Sequence, residues 1–109
     1  MGPQILRHGS LREIIGQIAS LTEEDFICAG GKPNWTVDSP AHVIRIPKFT
    51  DLGIIGPIPE YFLEVFVARQ VIADWSALRR GRQPSTDEMC EALIYYARHD
   101  AHIPLDMRP

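Results

Sequence analysis

Residues Tyr61–Leu78 read YFLEVFVARQVIADWSAL, a stretch of helical length with no clean polar face. On a wheel of about 100° per residue, Tyr61, Val65, Ala68, Ile72 and Trp75 form one apolar stripe. Phe62, Phe66, Ala73 and Ala77 form a second, with Leu63 beside it. Val67, Val71 and Leu78 share the remaining sector with Glu60, Glu64 and Asp74. Tyr61–Val67 also has the β-branched and aromatic content of a strand. The apolar pattern continues through Trp75 to Leu78, longer than an ordinary strand, and predicts a helix from Glu60. A helix apolar nearly all round is central to its domain or shared with a partner.

Outward from this segment, Gly81 and Pro84 close the helix and Ser85 opens another. Glu88 stands three residues after Ser85, the spacing of a capping box, and Asp87 suits the positive end of the helix dipole. Met89, Cys90, Leu93, Ile94 and Ala97 then give an inner stripe, and Pro104 ends the element. Toward the N-terminus, Ser10 and Glu13 form a second capping box ahead of Leu11, Ile14, Ile15, Ile18 and Leu21 at helical spacing. Phe26–Ala29 and Ala41–Ile46 read as strands, separated by Gly30-Gly31-Lys32-Pro33-Asn34, an extended Trp35-Thr36-Val37 and the Asp38-Ser39-Pro40 turn. Residues 48–59 read as a loop that carries Phe49, Leu52, Ile54, Ile55 and Ile58.

The expected order is helix, strand, strand, helix, helix: an α+β single domain over residues 1–109, with a short antiparallel sheet packed against the long helix. Residues 1–9 and 104–109 are expected to be flexible ends. The chain's 109 residues suit one domain that buries roughly 65% of its unfolded surface. Hydrophobic content of 45% and charged content of 23% place it among globular rather than disordered chains.

A formal charge of -3 and a pI of about 5.7 give no support to a nucleic-acid or anionic-membrane partner. The one basic cluster, Arg79, Arg80 and Arg82, follows the long helix, where cations meet the negative end of the dipole. No apolar run approaches the length of a membrane span, and no secretory signal is read at the N-terminus. A cytoplasmic location with Cys28 and Cys90 as reduced thiols is the default, and a Cys28–Cys90 disulfide is the alternative.

The chain carries no catalytic, metal or nucleotide motif. His99 and His102 share a helix face and could supply two metal positions, but end-of-helix capping accounts for them more simply. Gly30-Gly31-Lys32 lacks the spacing and the following helix of a phosphate loop. Glu64, Arg69 and Asp74 interrupt the apolar helix at five-residue intervals, which does not put them on one face. A buried Arg69 would need a carboxylate or backbone partner. Trp35, Trp75, Tyr61, Tyr95 and Tyr96 are types that anchor interfaces when exposed. Tyr95 and Tyr96 are adjacent on a helix, so one of them reaches the rim.

Two segments, WTVDSPAHV at 35–43 and YFLEVFVARQVIADW at 61–75, together resemble a family of small uncharacterised bacterial proteins. The likeness extends to the opening helix and the closing YYARHDA segment, and so covers most of the chain. It implies a compact bacterial single-domain protein, without activity, ligand or catalytic residue.

These readings lead to a non-enzymatic protein-binding module, an immunity-type inhibitor or adaptor, with no cofactor and no metal. Its binding residues are expected among Trp35, Glu64, Arg69, Asp74 and Tyr95. One alternative is a small enzyme or ligand-binding protein whose pocket lies between the long helix and the 48–59 loop, using Glu64, Arg69 or His42. The other is a homodimer that associates through the long helix.

Overall fold

The computed structural model describes residues 4–46 and 58–102. Among the described residues, four antiparallel strands and three helices form an α+β domain. The strands are β1 (Gln4–Ser10), β2 (Phe26–Ala29), β3 (Pro40–Arg45) and β4 (Tyr61–Glu64). The helices are α1 (Leu11–Gly16), α2 (Val65–Ala77) and α3 (Thr86–His99), and a single 3-10 turn covers Ile18–Ser20. The sheet order is β1-β3-β2-β4, so the two outer strands are the two that the sequence pattern does not predict.

Both differences have a physical cause. Residues 4–9, expected as a loose lead-in, pair with β3 from Gln4↔Arg45 to Ser10↔Pro40, with an irregularity between Ile5 and Arg7. None of β1 is fully buried, so it is held by ladder hydrogen bonds and leaves no apolar period to read. Tyr61–Glu64, expected as the first turn of the long helix, instead pairs with β2. The helix starts at Val65, where the Val65 and Phe66 N–H groups donate to the Asp25 and Glu23 carbonyls at 2.9 and 3.1 Å. The acidic 22–25 turn thus satisfies the donors that a helix start leaves unpaired.

The same device opens α1. Leu11 and Arg12 donate to the Ser39 and Val37 carbonyls, and the Ser10–Glu13 capping box is closed in both directions. The 35–37 segment, expected as extended, serves here as a loop that caps a helix. Ser85 and Glu88 close the second capping box at the start of α3. At its end, Asp100 takes the left-handed conformation with φ 53° and donates its N–H to the Tyr96 carbonyl.

With its first turn removed, α2 has a clear inside. Val65, Ala68, Val71 and Trp75 are buried, while Phe66 and Leu78 are each 54% exposed. The core lies between this stripe, Leu11, Ile14 and Ile15 of α1, Cys90 and Leu93 of α3, and Ile27, Ala29, Ala41 and Val43 on the inner face of the sheet. The two thiols are free and buried on separate elements, β2 and α3. Among the described residues, no helix is long and apolar enough to cross a membrane.

Candidate functional site

Trp35 is brought to β4 by its own loop. Its indole N–H donates to the Ala29 carbonyl at 3.0 Å, and its ring meets Phe62 edge-on with centroids 5.0 Å apart. This pair forms part of a groove of about 390 Å³. One wall is the strand β4 itself, through Tyr61, Phe62 and Leu63. The opposite wall is the last turn of α3, through Tyr96, Ala97 and Asp100, with Val67 of α2 and Lys32 completing the lining. The volume falls in the range of ordinary binding clefts, and the lining is aromatic with a few polar groups on it.

The chemistry of the groove is that of contact. Burial pushes the Tyr61 phenol above its ordinary pKa, which keeps it neutral and able to donate a hydrogen bond. Lys32 and Asp100 are exposed, and neither enters an ion pair among the described residues. Among the described residues, no nucleophile with an adjacent base lines the groove.

Of the five residues expected to bind, only Trp35 lies in this lining. Glu64 is next to it, at the junction of β4 and α2, as the N-cap residue without a capping hydrogen bond. Arg69 points elsewhere. Its Nη2 donates to the carbonyls of Ile18 and Ala19 at 3.1 and 3.3 Å and to that of Leu21, and its Nη1 lies 3.6 Å from Glu23. It is a structural clasp on the 3-10 turn. Asp74 accepts from Gln70 at 3.1 Å and faces His102 at 3.2 Å. Tyr95 stacks on His99 with centroids 4.3 Å apart, so the tyrosine in the groove is its neighbour Tyr96.

His99 and His102 therefore diverge, one onto Tyr95 and the other between Tyr96 and Asp74. Among the described residues, no group of three or more His, Cys, Asp or Glu side chains is placed to hold a metal ion.

A second concave region lies on the outer face of the sheet. Cross-strand pairing puts His8, His42, Cys28 and Tyr61 in one row across all four strands. Cys28 and His42 share a hollow of about 260 Å³ with Ile58, Pro59 and Glu60. Burial, with the Glu60 carboxylate nearby, pushes the Cys28 thiol up to about 11, so it is protonated and a poor nucleophile or ligand.

The pocket expected between the long helix and the 48–59 loop cannot be traced as such, because residues 47–57 lie outside the described residues. Ile58 and Pro59 line the outer face of the sheet with Cys28 and Ile44. His42 and Glu64 stand on β3 and β4 with β2 between them, and Arg69 is committed to the 3-10 turn. These three do not converge.

Compared with protein-family models, curated proteins and solved structures, the chain has no significant match.

Of the groove residues outside the expected set, Tyr61, Phe62 and Leu63 sit on a strand where the sequence pattern predicts helix, Lys32 lies in the expected 30–34 loop, and Val67, Tyr96 and Ala97 lie on helices that the pattern predicts. The adjacent Tyr95 and Tyr96 did signal that one ring reaches the rim.

Proposed function

We propose that this chain is a non-enzymatic protein-binding module whose contact surface is the groove between β4 and the end of α3. The observation that carries this reading is the composition of that groove. Tyr61, 39% exposed, and the half-buried Tyr96 present aromatic surface to a single concavity, whose base is the buried Trp35–Phe62 pair. Aromatic side chains of this kind bury much area at low entropic cost and dominate interface energies. The exposed Lys32 and Asp100 supply a polar rim around them. An immunity-type inhibitor or an adaptor needs only such complementarity of shape and charge.

The enzyme alternative draws no support from the positions of Glu64, Arg69 and His42. Association through the long helix draws some from the 54% exposure of Phe66 and Leu78, but these stand at opposite ends of α2, with the small Ala73 and Ala77 as exposed apolar residues between them.

The test is site-specific photo-cross-linking in cells, with the cross-linking residue placed at Lys32 or Asp100. The control position is Arg12, at the other end of α3 beside Asp87. Discrete protein adducts from the groove positions and none from Arg12 are expected. Equal labelling from all three, or none from the groove, would remove the basis of the reading.

A further inference from the structure

His8 on β1 and His42 on β3 stand directly opposite each other in the antiparallel ladder. The residues flanking His42 in β3, Ala41 and Val43, belong to the core. Successive strand side chains alternate faces, so His42 and the residue across from it both point to the outer face of the sheet. The two imidazoles line one hollow there, of about 370 Å³. His8 is exposed and His42 half-buried, and neither ring has a hydrogen bond or ion pair among the described residues.

We propose that His8 and His42 form a cross-strand clamp for one divalent transition-metal ion, with water in its remaining coordination positions. The clamp shares no lining residue with the groove between β4 and α3, so it stands or falls independently of the protein-binding reading.

The spacing suits two ligands on one ion. Side chains directly opposite on antiparallel strands have Cβ atoms about 5 Å apart. A zinc-sized ion holds each imidazole nitrogen at about 2 Å, which puts two such nitrogens about 3 Å from each other. Rotation about χ1 and χ2 closes that difference. Once one ring holds the ion, the second binds it intramolecularly, at the high effective concentration that the ladder imposes. Imidazole selects Cu²⁺, Ni²⁺ and Zn²⁺, whereas Mg²⁺ and Ca²⁺ prefer oxygen ligands.

The surroundings favour a cation. Glu60 supplies the one carboxylate in the described lining of the hollow, and neither Lys nor Arg is part of that lining. Its carbonyl is held by the Ala29 N–H at 2.8 Å, and Gly30 leaves room for its side chain, because a Cβ at Gly30 would stand 2.9 Å from Oε2. Arg7, the neighbour of His8, turns away and donates to Gln17 and Ser20. Cys28 follows His42 in the same cross-strand row, but its thiol is fully buried and protonated, which leaves it outside the ligand set. Among the described residues no group of three is placed to coordinate, so Glu60 acts through its charge.

The probes are Ni²⁺, Zn²⁺ and Mg²⁺, each titrated alone into the full chain by calorimetry. Binding of one Ni²⁺ or Zn²⁺ per chain is expected, with no heat from Mg²⁺. His8→Gln and His42→Gln should each weaken Ni²⁺ binding about tenfold or more, because either change removes the whole chelate gain. Glu60→Gln should weaken it several-fold at low salt and less at high salt. The His99→Gln/His102→Gln double variant, which removes the other two histidines, should change it less than about threefold. A bound ion joins the edge strand β1 to β3, so Ni²⁺ should raise the Tm of the parent and leave that of His8→Gln unchanged.

Loss of binding in the His99/His102 variant rather than in His8→Gln places the ion at the end of α3 and overturns the clamp. A loss in only one of the two clamp variants, each folded to the parent's Tm without metal, means a single-histidine contact and also overturns it. Should His42→Gln fail to fold, the exposed His8 decides alone: Ni²⁺ affinity unchanged in His8→Gln overturns the clamp. Ni²⁺ and Zn²⁺ that bind no better than Mg²⁺ overturn it outright.

Discussion

Asp25 and Arg45, twenty residues apart in the chain, meet as a forked ion pair: Arg45 Nε and Nη2 donate to the two Asp25 carboxylate oxygens at 2.9 and 3.1 Å. The pair is lopsided, because the Asp25 side chain is 2% exposed and that of Arg45 is 47% exposed. Asp25 also anchors α2 through its carbonyl, which accepts from Val65, so the pair ties the end of β3 to the start of the long helix. It fixes where β4 stops and the helix begins.

The lopsided burial makes the two halves of this pair unequal under mutation. Arg45→Ala strands a buried carboxylate, which costs far more than freeing a half-exposed guanidinium. We expect Arg45→Ala to lower Tm by more than about 10 °C, and the isosteric Asp25→Asn to lower it by about 5 °C or less. Thermal unfolding followed by circular dichroism checks this, and equal losses would contradict it.

Arg69 gathers three carbonyls at the end of the 3-10 turn. Its planar fork spans them in a way that a single ammonium group does not. Arg69→Ala is expected to cost about 2 kcal/mol, and Arg69→Lys to recover less than half of that. Urea unfolding of the three proteins measures both values.

Glu88 links acid stability to the start of α3. The Arg82 guanidinium and the Ser85 backbone N–H hold its carboxyl down at about 2, from an ordinary value of 4.5. A carboxyl with a depressed folded pKa stabilises fully above its unfolded value and loses that contribution as pH falls through the folded one. Glu88→Gln should therefore be less stable than the parent near neutral pH and approach it between about 4.5 and 2. Urea midpoints measured across that range check the sign. Ser85→Ala, which removes the other half of the box, should cost about 1 kcal/mol.

Both thiols should be silent in the native protein. Burial, reinforced by Glu60 at Cys28 and by Asp87 at Cys90, pushes each up to about 11. At pH 8 roughly one thiol in a thousand is then ionised, and burial restricts access to it. Ellman's reagent is expected to titrate neither cysteine until the protein unfolds, and both afterwards. Because the thiol is held protonated by folding, this contribution to stability is full below about pH 9 and fades as pH rises toward 11.

Local rules were readable where one physical cause acts alone. Ser10–Glu13 and Ser85–Glu88 announce their helices because a capping box involves only adjacent residues, and both boxes form. The requirement that a buried Arg69 find a carboxylate or backbone partner was met mainly by backbone. Tyr61–Glu64 was ambiguous for a reason: its residues satisfy helical spacing and also suit a strand, and pairing with Phe26–Cys28 decides between them from a distance. β1 lacks an apolar period because it is an edge held by main-chain bonds. The groove was illegible for the same reason, since its strand wall exists only once Tyr61–Leu63 leaves the helix.

The central claim is that β4 and the end of α3 receive another polypeptide. NMR of the labelled protein, titrated with a peptide selected on it from a random-sequence library, tests it most directly. The account predicts shift changes at Lys32, Tyr61, Tyr96, Ala97 and Asp100. Shift changes that leave these residues untouched would contradict it.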